Sequence, residues 1–126
     1  MVLGIGIDLV SVERMNAAIG RGEDRFLDRL FTAREQSEAS GAGRAERFAA
    51  RFAAKEAAFK ALGTGWGQGV GWRNVEVVRE ASGKPHLELS GRAAELAREK
   101  GVTRSHLSLS HHGGMAAAVV VLEGDA

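Results

Sequence analysis

The stretch Arg44–Leu62 constrains the fold more than any other part of the chain. Phe48, Phe52, Phe59 and Leu62 recur at helical spacing, alanines fill the positions between them, and Gly63 follows where a left-handed cap is wanted. The pattern predicts one long helix with an apolar face that other elements must cover. In a chain of 126 residues that helix takes the centre of a single domain spanning residues 1–126, and the rest can supply only short pieces.

Those pieces read as a mixture of strands and helices. Leu3–Val10 is β-branched and carries Gly4 and Gly6, which let another backbone approach closely, so it reads as a strand ending in Asp8. Ser11 is placed to cap a helix running to about Ile19 and stopped by Gly20 and Gly22, with a second helical piece over Asp24–Leu30. Thr32 and Glu35 form a capping box for a short helix that fades by Gly41. After Gly63 a glycine occupies every second position to Gly71, which predicts a loop. Val75–Val78 and Leu87–Leu89 flank a turn and predict a hairpin. Ser90 then caps a helix to Lys100, and strands over His106–His111 and Met115–Leu122 are joined through Gly113 and Gly114.

Composition removes several function classes. With 17 Lys and Arg against 16 Asp and Glu the net charge is +1, and only 6% of residues are aromatic, which counts against a nucleic-acid partner. The longest apolar run, Met115–Leu122, is far short of the 18 or so residues that cross a bilayer, so no membrane is expected. Cysteine is absent, which excludes a disulfide framework, a thiolate metal site and a thiol nucleophile. With no basic and apolar leader at Met1, the expected location is cytoplasmic.

Four groups of polar residues stand at chemically useful places. Asp8 occupies a strand position suited to Ile or Val, where a carboxylate needs a cation or strong donors, or serves to cap the next helix. Glu56 lies beside the apolar stripe of the long helix with Lys60 one turn on, by itself an ordinary ion pair worth about 0.2–0.5 kcal/mol. Arg51, Lys55 and Lys60 gather on the same helix before the glycine-rich segment, and cations, a carboxylate and backbone amides can together hold a phosphate ester with its metal. Mg²⁺ suits such a place, because it takes one or two protein carboxylates and leaves the rest to water and substrate phosphates. His106, Ser108 and Ser110 share one face of a strand, followed by His111 and His112. No Gly-x-Ser-x-Gly elbow accompanies them, and four histidines without cysteine make a poor zinc site, so ligand hydrogen bonding is the expected role.

Three segments together, Gly4-Ile-Gly-Ile-Asp8-Leu-Val, Arg51-Phe-Ala-Ala-Lys55-Glu56-Ala-Ala-Phe-Lys60-Ala-Leu-Gly-Thr-Gly65 and His106-Leu-Ser-Leu-Ser110-His111, resemble the holo-(acyl-carrier-protein) synthases, the short 4'-phosphopantetheinyl transferases. Order, spacing and length match over essentially the whole chain. The resemblance implies an α+β fold of that family, with a small, largely antiparallel sheet packed against one long and several short helices. It implies transfer of the phosphopantetheine arm of coenzyme A to a serine of apo acyl carrier protein for fatty acid synthesis, or to a carrier domain of a larger synthase. A non-catalytic coenzyme A or nucleotide-binding module is the alternative of a different class.

Carried over by position, the resemblance makes Asp8 and Glu56 the Mg²⁺ ligands, and Asp8, Glu56 and Lys60 the catalytic set. Glu56, or a water held by the metal, would take the serine proton, while Lys60 would offset charge on the leaving group. Arg51, Lys60, Gly63, Thr64, Gly65, Ser110 and His111 would lie along the coenzyme A nucleotide. Arg14, Arg21, Arg25 and Phe26, near Met15, would dock the acidic helix of the carrier protein. The family also implies a homotrimer with active sites between subunits, for which the helix end and the apolar C-terminal strand are the candidate contacts. His112 departs from the acidic or small residue of several relatives, so no acid's role transfers there, and it could add a donor to a phosphate.

Overall fold

The computed structural model describes residues 1–64 and 69–125. In order the elements are β1 (Val2–Ser11), α1 (Val12–Leu30), α2 (Ala33–Ala39), α3 (Arg44–Leu62), a 3₁₀ turn (Trp72–Asn74), β2 (Val75–Arg79), β3 (Pro85–Leu89), α4 (Gly91–Glu99), β4 (Val102–His112) and β5 (Met115–Gly124). The strands make two antiparallel sheets, β1-β5-β4 and β2-β3. This is the α+β arrangement expected from the sequence, with α3 at the centre and α1, equally 19 residues but kinked, beside it.

Helix α3 is buried on almost every side. Phe48, Ala53, Ala54, Ala57, Ala58, Phe59 and Leu62 are all in the core, together with the inward residues of β5, Ala116, Ala118, Val120 and Leu122. Its end is closed by Gly63 at φ 76°, and Thr64 donates its backbone N–H back to the Phe59 carbonyl. A helix this rich in alanine lets other backbones come close, and β1 comes closest. A Cβ on Gly4 or Gly6 would overlap the carbonyl oxygen of Ala61 or Ala57. The glycine face of β1 therefore packs on α3, which turns Ile5, Ile7 and Leu9 outward at 66%, 63% and 64% exposure.

Several expected boundaries move. β1 continues past Asp8 to Ser11, whose side chain accepts from the Arg14 N–H as predicted. Gly20 and Gly22 do not stop α1. The break between the two expected helical pieces falls at Glu23, at φ 46° and ψ −133°, and its tight bend brings the Phe26 Cβ within 2.5 Å of where a side chain on Gly22 would start. β4 starts at Val102 instead of His106, since pairing with β5 extends to Gly124. Ser90 makes no side-chain cap; its carbonyl accepts from Ala94 and the chain turns through Gly91 at φ 52°. The capping box of Thr32 and Glu35 is present, with the Glu35 carboxylate fully buried.

Candidate active site

Asp8 reaches the site from the glycine face of β1, and Glu56 and Lys60 reach it from α3. Because Gly6 draws the strand onto Ala57, the two carboxylates come from neighbouring elements to line one groove of about 470 Å³ with Ser11, Arg14, Phe26 and Phe52. Lys60 Nζ donates to Asp8 Oδ1 at 3.0 Å and to the Ile7 carbonyl at 2.9 Å. The ammonium therefore bridges helix and strand; the simple Glu56–Lys60 ion pair is replaced by one to Asp8. Burial raises the Glu56 pKa above its ordinary value, the Asp8 charge raises it further, and Lys60 pulls the other way. Two carboxylates that repel across a half-buried groove are relieved by a cation between them.

That donor set fits a hard divalent ion. It offers two carboxylates, and no group of three or more His, Cys, Asp or Glu suited to a metal occurs among the described residues. A zinc-type cage is therefore not built there, whereas Mg²⁺ accepts two protein oxygens and leaves its other positions to water and phosphate.

Lys55 does not belong to a phosphate cradle. It is fully buried, and its ammonium is held by Glu35 at 2.8 Å and by the carbonyls of Trp72 at 3.1 Å and Val75 at 2.5 Å. Arg51 is also buried, but toward a basic hollow. Its guanidinium donates to Glu38 and to the Arg47 carbonyl, both at 3.4 Å, while its Nε is buried without a partner. Burial pulls its pKa down, partly offset by Glu38. Two adjoining cavities, of about 190 and 340 Å³, meet at Arg51. The smaller is lined by Arg47, Ser110 and His111, with His111 Nδ1 3.2 Å from Glu46; the larger by Arg79, Lys84 and Ser108. His112 lies beside them at the β4–β5 turn.

The predicted residues thus fall into two sets that one chain does not join. The Asp8 and Glu56 groove is lined by none of Arg51, Ser110 or His111. On α3, Arg51 and Glu56 are five residues and so about 140° apart around the axis. Gly63 and Thr64 stand just past Lys60 at the end of α3, and Gly65 lies outside the described residues. Of the residues predicted to dock the carrier, Arg14 and Phe26 line the carboxylate groove with the buried Met15, while Arg21 and Arg25 are exposed on either side of the kink at Glu23.

Sequence reasoning missed Phe52 as a groove residue, Trp72 behind it, and Arg47, Arg79 and Lys84 as neighbours of Arg51. Trp72 stacks on Phe52 at 5.0 Å and with Phe26, Arg29 and Leu30 lines a second hollow of about 230 Å³. The signal for Phe52 was present: it precedes Glu56 by one helical turn. The apolar C-terminal strand shares in the open face, with Ala117, Val119 and Val121 half-buried beside Leu9, Ile7 and Ile5. β5 is the central strand of its sheet, and the exposed apolar row belongs to β1.

Residues 4–120 match the 4'-phosphopantetheinyl transferase superfamily. The chain is 51% identical over 127 residues to a holo-(acyl-carrier-protein) synthase of Koribacter versatilis, covering 98% of this chain and 99% of the relative. Among solved structures, the holo-(acyl-carrier-protein) synthase of Neisseria meningitidis superposes with a TM-score of 0.89 at 35% identity, over 98% of this chain and 99% of the other. That of Bacillus anthracis, in complex with CoA (3',5'-ADP), superposes with a TM-score of 0.81 at 37% identity and 99% coverage of both.

Proposed function

We propose, from the premise that this chain belongs to the 4'-phosphopantetheinyl transferase superfamily, that it is a holo-(acyl-carrier-protein) synthase acting as one domain over residues 1–126. It transfers the 4'-phosphopantetheine group of coenzyme A to a serine of apo acyl carrier protein. The observation that carries this reading is the pairing of Asp8 with Glu56 in one groove, bridged by Lys60.

The serine oxygen forms a bond to the β-phosphorus of coenzyme A as the pyrophosphate P–O bond breaks, releasing adenosine 3',5'-bisphosphate. Glu56, which lines the groove together with Asp8, takes the serine proton. Lys60, exposed and one turn from Glu56, exchanges its hold on Asp8 for the leaving phosphate, where charge builds. Asp8 and Glu56 would hold Mg²⁺, which when bound neutralises the pyrophosphate. Gly63, Thr64 and Gly65 follow the same bound nucleotide past the end of α3.

Arg51, Ser110 and His111 lie away from that groove, and they serve a nucleotide whose reacting end is held by another copy of the chain. Three copies closing through the outward row of Ile5, Ile7 and Leu9 would bring one subunit's carboxylates to its neighbour's basic hollow. Arg14 and Phe26 at the groove, with Arg21 and Arg25 beyond, receive the acidic carrier helix. A cytoplasmic enzyme of fatty acid synthesis fits this partner, and no helix among the described residues is long and apolar enough to cross a membrane.

The test is the intact mass of apo acyl carrier protein after incubation with the protein, coenzyme A and Mg²⁺. A gain of one phosphopantetheine unit, lost with EDTA, is the expected result. No gain on the free carrier or on a synthase carrier domain would overturn the reading.

A further inference from the structure

The buried Glu35–Lys55 pair has no part in the chemistry just described, yet both of its charged groups are fully engaged in hydrogen bonds. All three ammonium protons of Lys55 are taken, by Glu35 Oε1, the Trp72 carbonyl and the Val75 carbonyl. Glu35 is equally committed: Oε1 also accepts from the Thr32 N–H and Oε2 from the Val77 N–H, each at 2.9 Å. One ion pair thus ties the start of α2, the middle of α3 and the entry to β2. Satisfied on every side, it avoids the penalty of a bare buried charge.

What it fixes lies beside the proposed site. Trp72 and Val75 bracket the 3₁₀ turn, and the Trp72 ring stacks on Phe52 at 5.0 Å and meets Phe59 at 5.1 Å. Phe52 stands one turn before Glu56 and lines both the carboxylate groove and the hollow formed by Phe26, Arg29, Leu30 and Trp72. The backbone that Lys55 holds therefore carries the aromatic ring that backs the wall between these two concavities.

We propose that Glu35 and Lys55 are positioning residues for the transfer reaction, fixing through Trp72 the aromatic wall shared by the carboxylate groove and the adjoining hollow, both of which hold the docking candidate Phe26. The inference rests on the transferase reading above. It requires the pair to affect how the carrier is received far more than coenzyme A affinity, since the nucleotide contacts assigned to Arg51, Ser110 and His111 lie away from this wall.

The experiment compares the wild type with the double variant Glu35→Gln, Lys55→Met, which removes both charges so that neither is left buried alone. Both are made with Trp66→Phe, so that Trp72 is the only indole. Transfer rates are measured against apo acyl carrier protein and coenzyme A in turn. The expected result is a folded double variant with a red-shifted Trp72 emission, a carrier KM raised about fivefold and a coenzyme A KM changed less than about twofold. A role in stability alone lowers the folded fraction and so the apparent kcat, without moving either KM or the emission of the folded protein. That pattern, or wild-type constants throughout, overturns the proposal. Should the double variant fail to fold, Trp72→Ala with the ion pair intact decides: the same rise in carrier KM supports the inference and an unchanged KM overturns it. Absence of transfer by the parent protein would instead remove the transferase reading itself.

Discussion

Replacing Gly6 by Ala tests how the site is assembled, because it adds one methyl where strand and helix touch. The new Cβ would overlap the Ala57 carbonyl oxygen and stand 2.8 Å from its carbon and 2.9 Å from the Ala61 nitrogen, where ordinary contact starts at 3.4 Å. Relieving the Ala57 carbon alone parts β1 from α3 by about 0.6 Å, and the oxygen demands more. Overpacking of this kind costs about 2 kcal/mol, or a fall in Tm of about 8 °C for a chain of this size. The same displacement carries Asp8 away from Glu56. A small ion such as Mg²⁺ demands near-ideal distances, so the Mg²⁺ concentration for half-maximal transfer should rise about tenfold. Thermal unfolding and a Mg²⁺ titration of transfer measure the two effects. A Gly6→Ala protein with wild-type Tm and wild-type Mg²⁺ dependence would refute the claim that Gly6 sets the spacing of the carboxylates.

Glu56→Gln should abolish transfer and still stabilise the protein near neutral pH. The folded Glu56 pKa lies above the ordinary 4.5, so its protonated form favours the fold. That contribution is complete below the unfolded value and is lost as pH rises through the folded one. As pH rises through the folded Glu56 pKa the wild-type urea midpoint should therefore drop relative to that of the variant, and a constant difference between the two would sink the assignment. Lys55→Met alone strands the Glu35 carboxylate in the core and should cost about 3–5 kcal/mol, more than the charge-free double variant; equal urea midpoints for the two would argue against a tightly coupled pair. Ile7→Asp puts a charge in the outward row of β1, and light scattering should find it shifted toward the single chain with transfer lost; an unchanged assembly would place the contact elsewhere.

The fold was legible where local chemistry and periodicity agreed. The Phe spacing and Gly63 bound α3 at the predicted residues, and Thr32 with Glu35 marked the start of α2. Lys55 was misread for a physical reason. Helical spacing groups side chains by face but does not say which faces are covered, and a lysine is normally assigned to water. The alanines at 53, 54, 57 and 58 carried the missing signal, since a helix flanked by small residues all round is enclosed and any charge within it needs a buried partner. The alternation of Gly4, Ile5, Gly6 and Ile7 likewise announced a strand without saying that its glycines face inward. Only the approach of the α3 backbone decides that. Asp8, Glu56 and Lys60 meet in the structure, but in sequence their local settings fitted an ordinary cap and ion pair, and it is the resemblance that singled them out. The separation of Arg51, Ser110 and His111 from them is a property of the three-dimensional arrangement.

The glycine-inward orientation of β1 has a consequence for how the chain reaches its structure. A strand of alternating Gly and Ile would ordinarily bury its isoleucines, and a slip of one residue against β5 would do so while turning Asp8 out of the groove. The close-packed α3 backbone blocks that register, so the chain on its own keeps the sterically permitted pairing and leaves its oily edge in water. If that edge is closed by further copies, association supplies the bias that secures the register, and strand alignment and assembly become parts of one cooperative process. Recovery of correctly paired protein from denaturant would then rise with chain concentration over the range where most small proteins begin to lose yield to aggregation.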